Sequence, residues 1–533
     1  MAERFISLLY PTPESAAYHD NKNNLPDISE DVVEELGLNE IFGLKSSSLT
    51  DFFTKDPEVI KYRQSTLKDL ANIPELLLTL SKIHPILDDI RELRRLDDEK
   101  VSSADSYLYS ITEIELYVSA LEILRSGFDG VRDRVKGTAF VALSEFVREL
   151  TESEYYLNLN KQLRELSSRV NEVRSVTIGV NLDAQMRPES AGVISVNSER
   201  FKSGKLLDKI LRFSFKNDAF TTIASLTPYG KGQSENKQEA LVGAFNSAIE
   251  DVFRSSVRGW RSIVAGYVME NTDFLLKLLP EIEFVARASE LDDRLHKAGY
   301  NTVYPEIAPM SEKAFEAESI YNPRVALAIS ERVVMNDFKF DNDAGLYVLS
   351  GPNRGGKSVI TVAVGAAQAM AQLGLAVPAD KARISAVTGI FTHFPEGADD
   401  TIDKGRLGEE CSRLREIFDS VDGDGMILLD ESLSSTGSYE ASYIASEILT
   451  AFAVRGVRGI FSTHLHELAA ALPEINRRVR MAGGIPIDTL VAGIEEGERS
   501  FKIHRMKPDG KSYAKDIADK YGLSYEKLVG GQK

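Results

Sequence analysis

A long helical region carrying a small β insertion, followed by an α/β domain, is the fold class this sequence predicts. Three observations carry that prediction. Apolar residues recur at helical spacing over roughly 53 to 175 and again over about 238 to 299. Between those stretches, two β-rich runs, SVTIGVNLD and AGVISVNS, flank a break at Met186, Arg187 and Pro188. In the last third, short continuous apolar runs of strand length appear, and one of them leads into the glycine loop GPNRGGKS, Gly351 to Ser358.

The elements follow in order. The first 40 residues are polar and carry Pro11, Pro13 and Pro26, so they read as an adaptor or loosely packed lead-in. Residues 41–325 read as a helical core and lever, with apolar positions such as Leu67, Leu70, Ile73, Leu76, Leu77 and Leu80, or Ile114, Leu116, Val118, Leu121 and Leu124. The β-rich stretch, about 175–227, sits within it as the tip of two long arms. The returning arm runs through Phe245, Ile249, Val252, Phe253, Val257, Ile263, Val264 and Val268, and Tyr304-Pro305 ends it. Residues 326–533 form the α/β domain, and no repeat or low-complexity segment interrupts the chain.

That domain carries the chemistry. Leu346 to Leu349 reads as a buried strand and Val359 to Leu373 as an alanine-rich helix ended by Gly374, so the glycine loop has a strand before it and a helix after it. In that order the loop residues Gly351, Pro352, Asn353, Arg354, Gly355 and Gly356 wrap an anion, with backbone N–H groups of the loop and helix N-terminus pointing inward. Lys357 reaches the outer phosphates of a nucleotide, and the Ser358 hydroxyl can ligate Mg²⁺. The competing reading is a chance glycine-rich turn. A second apolar run, Met426 to Leu429, ends in Asp430-Glu431, a Walker B arrangement. Asp430 would hold Mg²⁺ through its water shell, and Glu431 would accept the proton of the water attacking the γ-phosphate; a solvated helix cap is the alternative. A third run, Arg458 to Thr463, ends at His464, either a γ-phosphate sensor or a plain structural donor.

With those residues in view, the C-terminal third resembles the ATPase domain of the MutS family, whose Walker A loops read TGPNMGGKST-like, against SGPNRGGKS from Ser350 to Ser358. LLDES from Leu428 to Ser432, followed by Ser435, Thr436, Gly437, Ser438 and Tyr439, looks like the family's Walker B and threonine-serine-tyrosine loop. FSTHLHEL from Phe461 looks like its strand-tip histidine motif, and DGKSYAKDIA from Asp509 is similar to its C-terminal KSYG-type helix. The resemblance implies an adenine site with His504 on one side of the base and Val333 and Asn336 on the other. Upstream, Asp56 to Leu70 and Phe284 to Ile307 resemble the opening of the family's core domain and the end of its lever helix. The likeness covers most of residues 40–530 and is specific after about 330.

The resemblance therefore implies an ABC/MutS-type P-loop ATPase, dependent on ATP and Mg²⁺, that homodimerises through this domain and binds DNA without sequence specificity. Composition is that of an ordinary globular protein, 43% hydrophobic and 27% charged. The single Cys411 excludes an internal disulfide and fits the cytoplasm. No apolar run reaches the roughly 18 residues of a membrane span, and the N-terminus lacks the basic and apolar regions of a secretory signal.

The net charge of −18 opposes DNA binding by a uniform surface, so any contact must use a local basic face. Arg200, Lys202, Lys205, Lys209, Arg212 and Lys216 offer one, and Arg477, Arg478 and Arg480 a smaller one; each is otherwise a solvated mixed-charge helix face. The Phe-x-Glu of a mismatch wedge occurs only at Phe394-Pro395-Glu396, and the sequence leaves no room for that wedge's domain or for an Smr domain, so intrinsic mismatch recognition is not expected. Arg354 stands where the family has methionine, either adding a cation or facing solvent. In Gly405 to Phe418 the family's trans-acting serine is missing. Glu410 aligns with a family glutamate, and Ser412 either replaces the serine or faces its own helix. The alternatives to a DNA-gripping ATPase are a nucleotide-dependent protein scaffold and a transport-type ATPase subunit, against which the missing LSGGQ counts.

Overall fold

The computed structural model describes residues 5–98, 103–172, 175–186, 188–197, 227–228, 273–341, 343–352, 354–394, 406–495, 498–506 and 528. The chain divides into two compact units, one of residues 1–72, 136–139 and 284–533 and the other of 73–135 and 140–283. This division differs from the 40/41 and 325/326 boundaries drawn from the sequence, because both flanks of the helical region pack with the α/β part. Leu8 and Leu9 are fully buried, and the Phe52 and Phe284 rings lie 4.5 Å apart. A few buried apolar residues fix the otherwise polar lead-in.

The second unit holds the helices Pro74–Asp98 and Ser103–Asp129, most of Thr138–Glu152, and Glu154–Glu172. Its core is the helical stripe expected from spacing, with Leu76, Leu80, Ile83, Leu87 and Ile90 buried against Tyr117, Leu121, Leu124 and Phe128. The strands Ser175–Leu182 and Pro188–Asn197 pair antiparallel, with Thr227–Pro228 added at the edge of the second strand. Met186 adopts φ 61 in the turn between them.

The first unit is built on a six-stranded sheet. Its elements in chain order are β1 (Leu346–Ser350), α1 (Lys357–Leu373), β2 (Ile390–His393), α2 (Arg406–Ser420), β3 (Met426–Asp430), α3 (Ser438–Arg455), β4 (Arg458–Ser462), α4 (His466–Met481), β5 (Ile487–Glu495) and β6 (Glu498–Arg505). The strand order is β6-β5-β1-β4-β3-β2, parallel throughout except for β6, which runs antiparallel to β5. Every residue of β1, β3 and β4 is buried, as expected of strands covered on both faces. Leu414 and Ile417 of α2, Leu449 and Phe452 of α3, and Leu472 and Val479 of α4 share one core with Leu346, Val348, Ile427, Leu429 and Phe461. α1 contacts β3 and β4, its Gly365 against the Leu428 side chain. A separate four-stranded sheet, Glu306–Ala308, Lys381–Ser385, Phe315–Ile320 and Asn336–Phe340, joins β1 through the Phe338, Phe340 and Tyr347 rings. Among the described residues no helix is long and apolar enough to cross a membrane.

Candidate functional site

The sheet sets where the chemistry falls. Leu349 of β1 and Asp430 of β3 both pair with Ser462 of β4. Pairing continues past the strand ends, with Thr463 N donating to Leu349 O at 2.9 Å and Glu431 N donating to Ser462 O at 2.8 Å. The glycine loop, Asp430-Glu431 and Thr463-His464 therefore leave one edge together, the carboxyl edge at which open α/β sheets bind ligands.

Loop geometry follows from close approach. Gly351 adopts φ 143, and a Cβ there would lie 2.6 Å from the Ala492 Cβ of β5, so only glycine fits. Pro352 and Gly355 complete the turn through a 3.1 Å bond from Gly355 N to Pro352 O. Arg354 is exposed at φ 59, and Asn353 lies outside the described residues. Gly356 caps α1 without a side-chain bond, which leaves first-turn N–H groups for another acceptor, and Ser358 is exposed in that turn.

Lys357 is 4% exposed, donates to the Gly351 and Pro352 carbonyls at 3.3 Å each, and stands 3.9 Å from Glu431 Oε1. Burial holds its ammonium below the usual lysine range, while the charges of Glu431 and Asp430 oppose that shift. His464 Nε2 lies 2.7 Å from Glu431 Oε1 and 3.4 Å from Lys357 Nζ. One ring nitrogen cannot donate to the carboxylate and accept from the ammonium at once. The shorter, charge-assisted contact dominates, so Nε2–H donates to Glu431.

Asp430 is 9% exposed, and its Oδ1 has no protein hydrogen-bond partner; the Ser462 hydroxyl opposite it also has none. Buried polar atoms left so are rare and call for a water or ion. Among the described residues no group of three His, Cys, Asp or Glu could hold a metal. A hydrated Mg²⁺, which needs only one or two protein oxygens besides phosphates and waters, fits Asp430 and the Ser358 hydroxyl, whereas a dedicated all-protein metal cage does not.

Around this centre, Ser435 Oγ donates to the buried Glu410 at 3.1 Å, and Ser412 Oγ donates to Glu416 of its own helix at 3.3 Å. Ser412 therefore faces its own helix. His393 Nδ1 and Ser432 Oγ are 2.6 Å apart, and burial, aided by the Arg413 charge, pushes the His393 pKa down. Tyr439 is 82% exposed beside the serine-threonine loop.

Of the expected base contacts, Asn336 is joined to β6: its Nδ2 donates to Phe501 O at 3.2 Å and its Oδ1 accepts from Ile503 N at 2.8 Å. His504 is exposed on the same strand. Val333 is 8% exposed, and its N–H donates to the Tyr300 hydroxyl. Ala492 and Phe501, both against the glycine loop, escaped the sequence reading. The Ala-Gly pair in the strand VAGIE was the available signal, since small residues in a strand mark close backbone approach.

The two basic clusters differ in standing. Arg200 to Lys216 lies outside the described residues, as does the segment Asp509 to Ala518. Arg477 pairs with Glu474 and Arg478 with Glu447, which makes the smaller cluster a mixed-charge face.

Comparison with known families agrees with this geometry. Residues 347–494 match the model of MutS domain V, and residues 55–298 match that of the MutS2 N-terminal domain. The chain belongs to the MutS-like family. The DNA mismatch repair protein MutS of Staphylococcus haemolyticus is 26% identical over 313 residues, 58% of this chain and 32% of that protein. Endonuclease MutS2 of Streptococcus equi subsp. equi is 31% identical over 202 residues, 36% of this chain and 24% of its own length, and that of Streptococcus gordonii 27% over 281 residues, 49% and 34%. The chain thus spans about a quarter to a third of these MutS and MutS2 relatives.

Proposed function

We propose that this MutS-like chain is a cytoplasmic, Mg²⁺-dependent ATPase that couples nucleotide-driven closure of a homodimer to gripping DNA. The observation that carries the reading is the convergence of Lys357, Glu431 and His464 on one sheet edge beside the unpartnered Asp430 oxygen. Residues 326–533 act as the P-loop engine and residues 41–325 as core and lever, with 1–40 as lead-in.

In this reading the loop Gly351 to Gly356 and the α1 N-terminus wrap the phosphates. Lys357 exchanges its two carbonyl partners for phosphate oxygens, so its charge is held ready in a poorly hydrated place. Glu431 takes the proton of the attacking water while His464, bonded to Oε1, holds the carboxylate and leaves Oε2 for that water. Mg²⁺, held by Ser358 and Asp430, would neutralise phosphate charge. Val333, Asn336 and His504 flank the base. Binding that favours the closed dimer and hydrolysis that releases it give the cycle.

A protein scaffold that never touches DNA is the second reading, and the net charge of −18 together with the paired Arg477 and Arg478 favours it. Steady-state ATP turnover of the purified chain, with and without duplex and branched DNA at low salt, separates the two. Stimulation by DNA supports the first. Turnover indifferent to DNA, with no DNA bound, moves the conclusion to the scaffold.

A further inference from the structure

We propose that the Phe501 ring is the aromatic platform on which the base of the bound nucleotide stacks, held in place by a bulge in β6. The inference rests on the nucleotide-site reading above and adds a residue to it. Ala492 pairs with Ile503 and Ile494 with Arg499, so Ser500, Phe501 and Lys502 together face Gly493 alone. Such a bulge bends its strand and re-aims a side chain. Gly493 admits it by lacking a side chain, since a Cβ there would lie 2.7 Å from Ser500 Oγ.

Within the bulge Phe501 adopts φ 54, a conformation rare for a bulky aromatic and one that persists only where the surroundings enforce it. Here they do. Buried Asn336 donates to the Phe501 carbonyl and accepts from the Ile503 N–H, bracketing Lys502, whose Nζ donates to Met335 O at 2.6 Å. The enforced geometry sets the ring against the phosphate loop, with Phe501 Cδ1 3.4 Å from where a Cβ on Gly356 would stand. Yet the residue stays 44% exposed. A strained, clamped and part-exposed aromatic at the start of α1 fits a purine, whose π-face stacks on such rings. Val333, 8% exposed and aliphatic, cannot supply that face.

Calorimetric titration of ATP and of inorganic tripolyphosphate into the wild-type chain and into Phe501→Ala, Phe501→Leu and Phe501→Trp tests the assignment, with thermal midpoints as the folding control. Loss of one stacking partner weakens ATP binding by about tenfold in the alanine variant. Tripolyphosphate affinity stays at the wild-type value, the leucine variant shows the same loss for ATP and carries the test if alanine fails to fold, and tryptophan restores ATP affinity. Wild-type ATP affinity in the alanine or leucine variant, or equal loss for ATP and tripolyphosphate, overturns the platform. A wild-type chain that binds neither ligand overturns the nucleotide reading, and the platform with it.

Discussion

Glu431 holds its place by backbone as much as by side chain. It sits at φ 49, its N–H tied to Ser462 O and its Oε1 to His464, so the end of β4 fixes both its backbone and its carboxylate. Lys357, Asp430 and Glu431 could be picked out in the sequence because a glycine loop after a strand and an acidic pair at a strand end are local patterns. Phe501 could not be, since strand pairing brings it to the site and no local pattern records that, and Ala492 left only the small-residue pair of VAGIE as a signal. The same limit hid His19. It is buried, with Nδ1 3.0 Å from the Tyr10 hydroxyl. Desolvation, helped by the Arg63 charge, lowers its pKa from 6.5 to about 4. The unfolded chain therefore binds a proton below about 6.5 that the folded chain refuses until about 4, and stability is lost as pH falls through that window. The loss is about 3 kcal/mol. Urea titrations between pH 4 and 7 should show this slope in the wild-type chain and a flatter one in His19→Gln; an unchanged slope removes His19 as its source.

Among elements, the strands β1, β3 and β4 could be read directly, because burial on both faces leaves continuous apolar runs such as MILLD. The four-stranded sheet could not. Its strands are short, and FEAESI alternates like many exposed segments until its partners are known. The first 40 residues read from the sequence as an adaptor or loosely packed lead-in, and Arg63 shows what holds their described part. Fully buried, it donates to Leu9 O at 3.3 Å, to Phe52 O at 2.5 Å and to Leu373 O at 3.5 Å, tying the N-terminal segment to the C-terminal end of α1. Arg63→Leu leaves those carbonyls without this donor and should lower unfolding free energy by about 3 kcal/mol, read from the denaturant midpoint. A change under about 0.5 kcal/mol, as at an ordinary surface position, would show that the tie is dispensable.

At the scale of the whole molecule, the acidic balance and the proposed grip on DNA are reconciled only if binding is local. Replacing Lys202, Lys205 and Lys209, which lie outside the described residues, with glutamine should weaken binding alike for all sequences. The slope of log affinity against log salt should fall by about one unit per lost phosphate contact. An unchanged slope would assign the contact elsewhere. The proposed cycle of grip and release rests in turn on an engine that hydrolyses ATP.

The most direct test of that engine is a paired measurement on Glu431→Gln, equilibrium ATP binding and single-turnover hydrolysis in Mg²⁺. The account predicts wild-type binding, because Lys357 and the loop are intact, with hydrolysis slowed by about 10²-fold or more through loss of the base. Hydrolysis at the wild-type rate would contradict it.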